Sequence, residues 1–231
     1  MSIDGLVDTE TAARLLGVSA RRVNQLVDSG DIAKASRGLY DRVSIERYLI
    51  TRRGTSQRAW DTSTAWAAVA ILSGRRGGVG WLAERSTYRL EATLRTITVA
   101  ELVGKARERA RVHVFAGHPS VARVLGSDVV TRDWNILGLA DAIGDGVDGY
   151  VDSADLESVV DRYALVASTS GNITLRAADF DIDTVRSLAK SSDVLVALDA
   201  AGSIDARLRG TGERVLERAL ERLRDQRGWS R

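Results

Sequence analysis

The chain has 231 residues, 28% charged and 44% hydrophobic, enough for one large domain or two ordinary ones, and fibrous, collagen-like and fully disordered classes drop out. It has no Cys and two His, which excludes disulfides, thiolate zinc sites and cysteine nucleophiles. The formal charge of +2 hides an uneven layout: residues 1–125 carry 20 basic and 12 acidic groups, residues 126–205 carry 5 and 15, and residues 206–231 carry 8 and 4. A polyanion would attract the first half and repel the acidic stretch.

The longest apolar run, residues 65–72, is far short of the roughly 18 residues of a membrane helix. The opening MSIDGLVDTE lacks the basic and apolar regions of a signal peptide, so a cytoplasmic protein without membrane contact is expected.

In chain order, Asp8 or Thr9 caps a first helix in which Ala12, Ala13, Leu15 and Leu16 recur at helical spacing, and Gly17 stops it. Ser19 caps a second helix, with Val18 and Val23 placed as a hydrophobic staple and Leu26 and Val27 continuing the apolar stripe to Gly30. Only Gly17 and Val18 separate the helices, which suits the sharp crossing of a helix-turn-helix. Behind Ser19, the polar side of the second helix offers Arg21, Arg22, Asn24 and Gln25 to base edges and phosphates. Arg21 and Arg22 oppose the positive end of the helix dipole, at a few tenths of a kcal/mol each. Such local conflicts mark function; the alternative is a solvated face in a chain that uses 30 Arg and only 3 Lys. Residues 32–40 then read as two very short strands around Ser36-Arg37-Gly38, a wing with Lys34 and Arg37 at its tip. Ser44 caps a third helix over residues 45–52, with Val43 and Tyr48 as a second staple.

The run LVDTETAARLLGVSARRVNQLVDSGDIAKASRGLYDRVSIERYL resembles the MerR-type, excisionase-like winged helix-turn-helix family. The resemblance implies that the second helix, with Arg21, Arg22, Asn24 and Gln25, is the recognition helix and that Arg37 belongs to the wing. Ala33 and Ala35 make this wing less basic than is common in that family.

Residues 52–63 are polar and Gly-containing and read as a linker, giving a DNA-binding domain at 1–55, a linker at 56–64 and a larger domain at 65–231. Residues 65–72 form a buried helix ending at Ser73-Gly74. The following GRRGGVGW resembles a phosphate cradle but lacks the Lys and Ser/Thr of a P-loop. Residues 84–95 and 99–109 read as helices with Arg on the polar face, and 111–118 as a half-buried strand that ends at a structural His118 before Pro119. Beyond it come a turn at Gly126-Ser127, a helix at 135–143, a strand at 149–151 and a helix over 154–163 capped by Ser153. Strands 165–168 and 172–177 form a hairpin, with Ile173 and Leu175 on one face and Thr174 and Arg176 on the other. Residues 193–199 suit a strand or a helix equally, and residues 212–227 an amphipathic helix with Val215, Leu216, Ala219, Leu220 and Leu223 on one side.

Asp141, Asp145, Asp148, Asp152 and Asp155 form the densest carboxylate cluster, but their spacing fits no EF-hand loop and most suit turns and caps. No metal site, cofactor or catalytic set is expected. The strings RARVHVFAGHPSVARVLGSD, VDGYVDSADLESVVDRYAL and GNITLRAADF resemble the C-terminal region of actinobacterial AbiEi-type antitoxins of type IV toxin-antitoxin pairs. That resemblance implies an autorepressor whose partner is a nucleotidyltransferase-like toxin.

The expected fold is α+β and mostly helical, an N-terminal winged helix-turn-helix followed by a larger α+β domain. The expected function is a sequence-specific, non-enzymatic DNA-binding regulator, an antitoxin that binds an inverted-repeat operator as a homodimer. Asp145 and Asp148 would meet the toxin. The alternatives are a stand-alone or excisionase-like DNA binder, or a nucleic-acid or nucleotide enzyme with Asp145 and Asp148 as metal ligands.

Overall fold

The computed structural model describes residues 5–51, 58–75, 79–139, 144–168 and 171–226. The N-terminal part runs β1 (Leu6–Asp8), α1 (Thr9–Leu16), α2 (Ala20–Asp28), β2 (Lys34–Ser36), β3 (Leu39–Asp41) and α3 (Arg42–Thr51). Asp8 caps α1 by accepting the Thr11 N–H at 2.8 Å, and Gly17, at φ +66°, closes it in the left-handed conformation that glycine adopts most cheaply. Ser19 caps α2 through the Arg22 N–H at 3.3 Å. Val7, Ala12, Val23, Leu26, Ile32, Tyr40 and Ile45 form one core, with Val18 packed on it as a staple requires.

Two features depart from the sequence expectation. The unforeseen β1 pairs antiparallel with β3, making a three-stranded sheet of order β1-β3-β2. The third helix begins at Arg42, because the Asp41 carboxylate takes the Val43 and Ser44 N–H groups at 3.0 Å each. Two carboxylate oxygens satisfy two orphan donors at once, which a single hydroxyl does not. Ser44 is therefore not the cap; its hydroxyl donates to the Asp41 carbonyl at 2.8 Å and accepts the Ala33 N–H at 2.9 Å, tying α3 to the hairpin. The expected linker lies partly outside the described residues, at 52–57.

The remainder runs α4 (Thr62–Leu72), α5 (Glu84–Leu94), α6 (Val99–Lys105), a 3-10 turn (Ala106–Arg109), β4 (Arg111–Ala116), α7 (Pro119–Asp128) and β5 (Val130–Thr131). It continues with a 3-10 turn (Trp134–Leu137), β6 (Val147–Asp152), α8 (Leu156–Arg162), β7 (Val166–Ala167), β8 (Ile173–Ala178), α9 (Ile182–Ser191), α10 (Val194–Ala201) and α11 (Ala206–Asp225). The fold is α+β and mostly helical. Its larger sheet has the order β5-β6-β8-β4-β7, with β6 and β8 parallel and the other pairs antiparallel. Alternation along the strands sorts the two faces. Val147, Val151, Ile173, Leu175 and Ala177 pack with α7 and α8, whereas Tyr150 and Ala178 belong to the core built by α4, α6, α9, α10 and α11.

Several expected elements take a different form. The expected turn at Gly126-Ser127 lies inside α7, which His118 caps through the Ser120 N–H. The expected helix at 135–143 is a single 3-10 turn stopped by Gly138 at φ +69°, with 140–143 outside the described residues. Ser153 does not cap α8, which starts at Leu156; Ser153 and Ala154 sit in a turn held by Asp152. Strands β7 and β8 do not form a hairpin, because β4 lies between them. The undecided residues near 193–199 form α10, buried along its whole length. Its seat requires Gly212 of α11: a Cβ there would lie 2.4 Å from the Ala197 carbonyl oxygen. Among the described residues no helix is long and apolar enough to cross a membrane.

On the α10 side of the sheet sits a buried ionic cluster. Asp199, fully buried on α10, meets Arg132 at 2.8 Å, Arg176 at 3.2 Å and the guanidinium of Arg109. Asp148 of β6 takes a two-pronged contact from Arg176, at 2.8 Å on each oxygen, and lies 2.7 Å from Arg132. The Tyr150 hydroxyl donates to Asp199 at 2.9 Å, and the Trp66 indole donates to the Arg109 carbonyl at 3.1 Å. Burial raises the pKa of a carboxyl, yet Arg132 and Arg176 outweigh it and hold Asp148 and Asp199 below the usual carboxylate range.

Removing one partner of such a cluster strands the others as uncompensated buried charge, so Asp199→Asn should destabilise the fold by about 3–5 kcal/mol. Asp145→Asn, in an exposed turn, should stay within about 0.5 kcal/mol. Urea unfolding compares them. Because both folded pKa values are depressed, the stability they contribute is complete above the ordinary carboxylate value of 3.8 and is lost as pH falls through the folded values. Asp199→Asn should remove part of that acid dependence.

Candidate nucleic-acid interface

The apolar positions of α2, Val23 and Leu26, are buried under α1 and β3, so its opposite face is turned to solvent. Arg21, Arg22, Asn24 and Gln25 are all exposed there. The first turn of α2 carries no acidic residue, so no carboxylate there tempers the two arginines. Arg22 Nη1 donates to Gln25 Oε1 at 3.2 Å, which lines two of the expected readers along one row of the helix. Ser19 is taken up by the cap and acts through the position of the helix.

Lys34 and Arg37 are exposed on the β2–β3 hairpin, where the sequence predicts the wing. Gly38, at φ +77°, makes the tight return, a backbone conformation that a side chain would strain.

Asn24 has a second commitment. Its Oδ1 accepts the Tyr40 hydroxyl at 3.0 Å, and Tyr40 is 2% exposed. The pair braces α2 against β3, leaving the Asn24 amide N–H groups as its outward donors. Sequence reasoning missed Tyr40; the available signal was a tyrosine on a strand, whose hydroxyl needs a partner once the ring is buried. It also missed Arg42, exposed at the start of α3 and paired with Glu46 at 2.8 Å.

The carboxylates singled out in sequence do not gather into one site. Asp145 is exposed in a turn, and Asp148 is held inside the ionic cluster by two guanidiniums, which repel a cation and withdraw it from an acidic outer face. Asp152 accepts the Ala154 N–H, Asp155 precedes α8, and Asp141 lies outside the described residues. Among the described residues no three acidic, His or Cys side chains gather as metal ligands.

Residues 2–42 match a protein family described as a transcriptional regulator, AbiEi antitoxin. The match covers the helix-turn-helix and hairpin, whereas the strings that suggested an AbiEi-type antitoxin in sequence lie beyond residue 108. No curated protein and no solved structure matches the chain.

Tyr40→Phe keeps the ring in the core and removes the hydroxyl that binds Asn24. It should cost about 0.5–1.5 kcal/mol in thermal or urea unfolding, the net worth of one hydrogen bond. Asn24→Ala in the same background should add almost nothing if that bond is what Asn24 contributes to stability.

Proposed function

We propose that this chain is a sequence-specific DNA-binding transcriptional regulator of the cytoplasm, with α2 as its recognition helix and the β2–β3 hairpin as its wing. The observation that carries this reading is the exposed row Arg21, Arg22 and Gln25 on a helix whose other face is fixed by Val23 and Leu26. Arginine reads guanine through a two-pronged contact, and glutamine can do the same with adenine. The family match over residues 2–42 supports a regulator of this kind. Lys34 and Arg37 would hold the phosphate backbone and set the register.

One small module makes few contacts, so the operator is an inverted repeat bound by a homodimer, with recognition helices about one helical turn or a multiple apart. The domain division proposed is a DNA-binding part over 1–55, a linker over 56–64 and a dimerisation or partner-binding part over 65–231, with the linker's end drawn back because Asp61 caps α4 and residues 62–64 are its first turn. In the fuller form of the proposal the chain is the autorepressing antitoxin of a type IV pair, and a nucleotidyltransferase-like toxin is its partner. Asp145 is then the partner-facing carboxylate, since Asp148 is engaged internally. That internal engagement favours a second reading, a stand-alone regulator that needs no toxin.

Gel-shift titrations at several salt concentrations test the DNA-binding claim. Arg21→Ala or Arg22→Ala should cost about 1–3 kcal/mol on the cognate site. Arg37→Ala should weaken all sequences alike and lower the salt slope by about one. Unchanged affinity in both helix variants would remove α2 as the recognition helix. Co-expression with the product of the neighbouring gene separates antitoxin from stand-alone regulator: the antitoxin co-purifies with it, more weakly in high salt and with Asp145→Lys.

A further inference from the structure

A groove of about 710 Å³ runs between the N-terminal part and the large sheet. One wall is formed by residues 30–35, which lead into β2, and the other by residues 110–115, along β4. The two sides of β4 are covered unequally. On one side β8 pairs with it from Arg111 to Phe115. On the other side β7 pairs with it only at Phe115 and Ala116, with one further bond from the Ser168 N–H to the Val114 carbonyl at 3.0 Å. The edge of β4 is therefore open over Arg111, Val112 and His113, about 10 Å of strand.

In an antiparallel ladder the backbone groups of every second residue point to the same neighbour. Val114 turns its carbonyl to β7, so Val112 presents its N–H and C=O to the open side, where neither has a partner among the described residues. Val112 is half-buried on the groove wall and offers there one donor and one acceptor. Another extended chain supplies the complement of both at strand spacing, whereas a phosphate group supplies only acceptors. Exposed Ala33 and Ala35, being small, leave room for that chain between the walls.

Charge selects which chain fits. The carboxylates of the groove are engaged: Asp41 takes the Val43 and Ser44 N–H groups, Asp31 accepts the Ser29 hydroxyl at 2.7 Å, and Glu108 lies 3.4 Å from Arg107. Arg47 and Arg107 likewise have partners of their own. Lys34 on one wall and Arg111 on the other are exposed, and neither side chain has a partner among the described residues. We infer that this groove binds an acidic segment of another protein, added in extended form to β4 beside Val112 with its carboxylates toward Lys34 and Arg111. Opposite charge favours such a segment and like charge rejects a basic one. The site needs only the groove, and the DNA-binding proposal enters at one point: Lys34 belongs also to the wing, so a bound acidic segment would compete with phosphate for it.

The test is titration of the full chain with a capped octapeptide of alternating aspartate and valine, followed by calorimetry and by exchange of the Val112 amide proton. The peptide should bind saturably, one per chain, and slow the exchange of that proton, which is fast in the free chain. The same peptide methylated on every backbone nitrogen should not bind, nor should its lysine-valine counterpart. Arg111→Glu should weaken binding of the aspartate peptide about three- to tenfold. The methylated peptide leaves the protein unaltered and provides the test should that variant fail to fold. No saturable binding, equal binding of the methylated or the lysine peptide, or a Val112 proton that the peptide does not protect overturns the inference. So does protection of Val112 by random-sequence duplex DNA and by neither peptide, which gives the groove to nucleic acid. Protection that rises with protein concentration alone gives it to a second copy and overturns the inference too.

Discussion

Two carboxylates buried among three guanidiniums impose the constraint on which the larger part of the molecule depends. Asp199 comes from α10, Asp148 from β6, Arg176 from β8, Arg132 from the segment after β5, and Arg109 from the turn before β4. Each group left alone in that interior would carry a cost of several kcal/mol, so the five elements are stable only in the arrangement that brings all of them together. The register of the sheet follows. Parallel pairing sets Asp148 opposite Thr174 and Tyr150 opposite Arg176, and a slip of one residue would turn Asp148 and Arg176 toward the apolar layer of α7 and α8. An aromatic row extends from the cluster through Tyr150, with Trp66 edge-on to Tyr150 at 5.5 Å and stacked on Phe180 at 5.7 Å.

What was legible in sequence was local. Asp8, Gly17 and Ser19 fix helix ends through bonds that reach three or four residues, and the stripe on α11 repeats often enough to reveal its buried face. The alternation on β8 was legible in the same way, and α4 was read as a buried helix from its Ala-rich length. What was not legible depended on partners far along the chain. The strands β7 and β8 are close enough in sequence to suggest a hairpin, but β4 separates them, and no pattern within either strand reports that insertion. Asp148 looked like one of several turn carboxylates because its arginine partners are 16 and 28 residues away. Similarly, α10 was ambiguous because a segment buried on all sides has no polar face to give it a period. At the candidate interface, sequence identified the exposed row on α2, but Asn24 was read as a base contact alone because its bond to Tyr40 spans the hairpin.

The distribution of charge needs the same correction. Residues 126–205 hold 15 acidic groups, a number that overstates the field they project. Asp148 and Asp199 are neutralised inside the cluster, and Asp128 is engaged by Tyr163 and Arg162. Asp133, Asp181 and Asp205 bind backbone N–H groups at the starts of helical turns, where part of their charge is offset by the peptide dipoles. Exposed charges also act over only about 8–10 Å at physiological salt. In the proposed complex a carboxylate farther than that from α2 would do little to the polyanion, whereas Arg21, Arg22, Lys34 and Arg37 would act at contact distance. In that proposal the orientation of the polyanion would follow from the caps and core contacts that hold α2 and the hairpin in place, more than from the net charge of the whole chain.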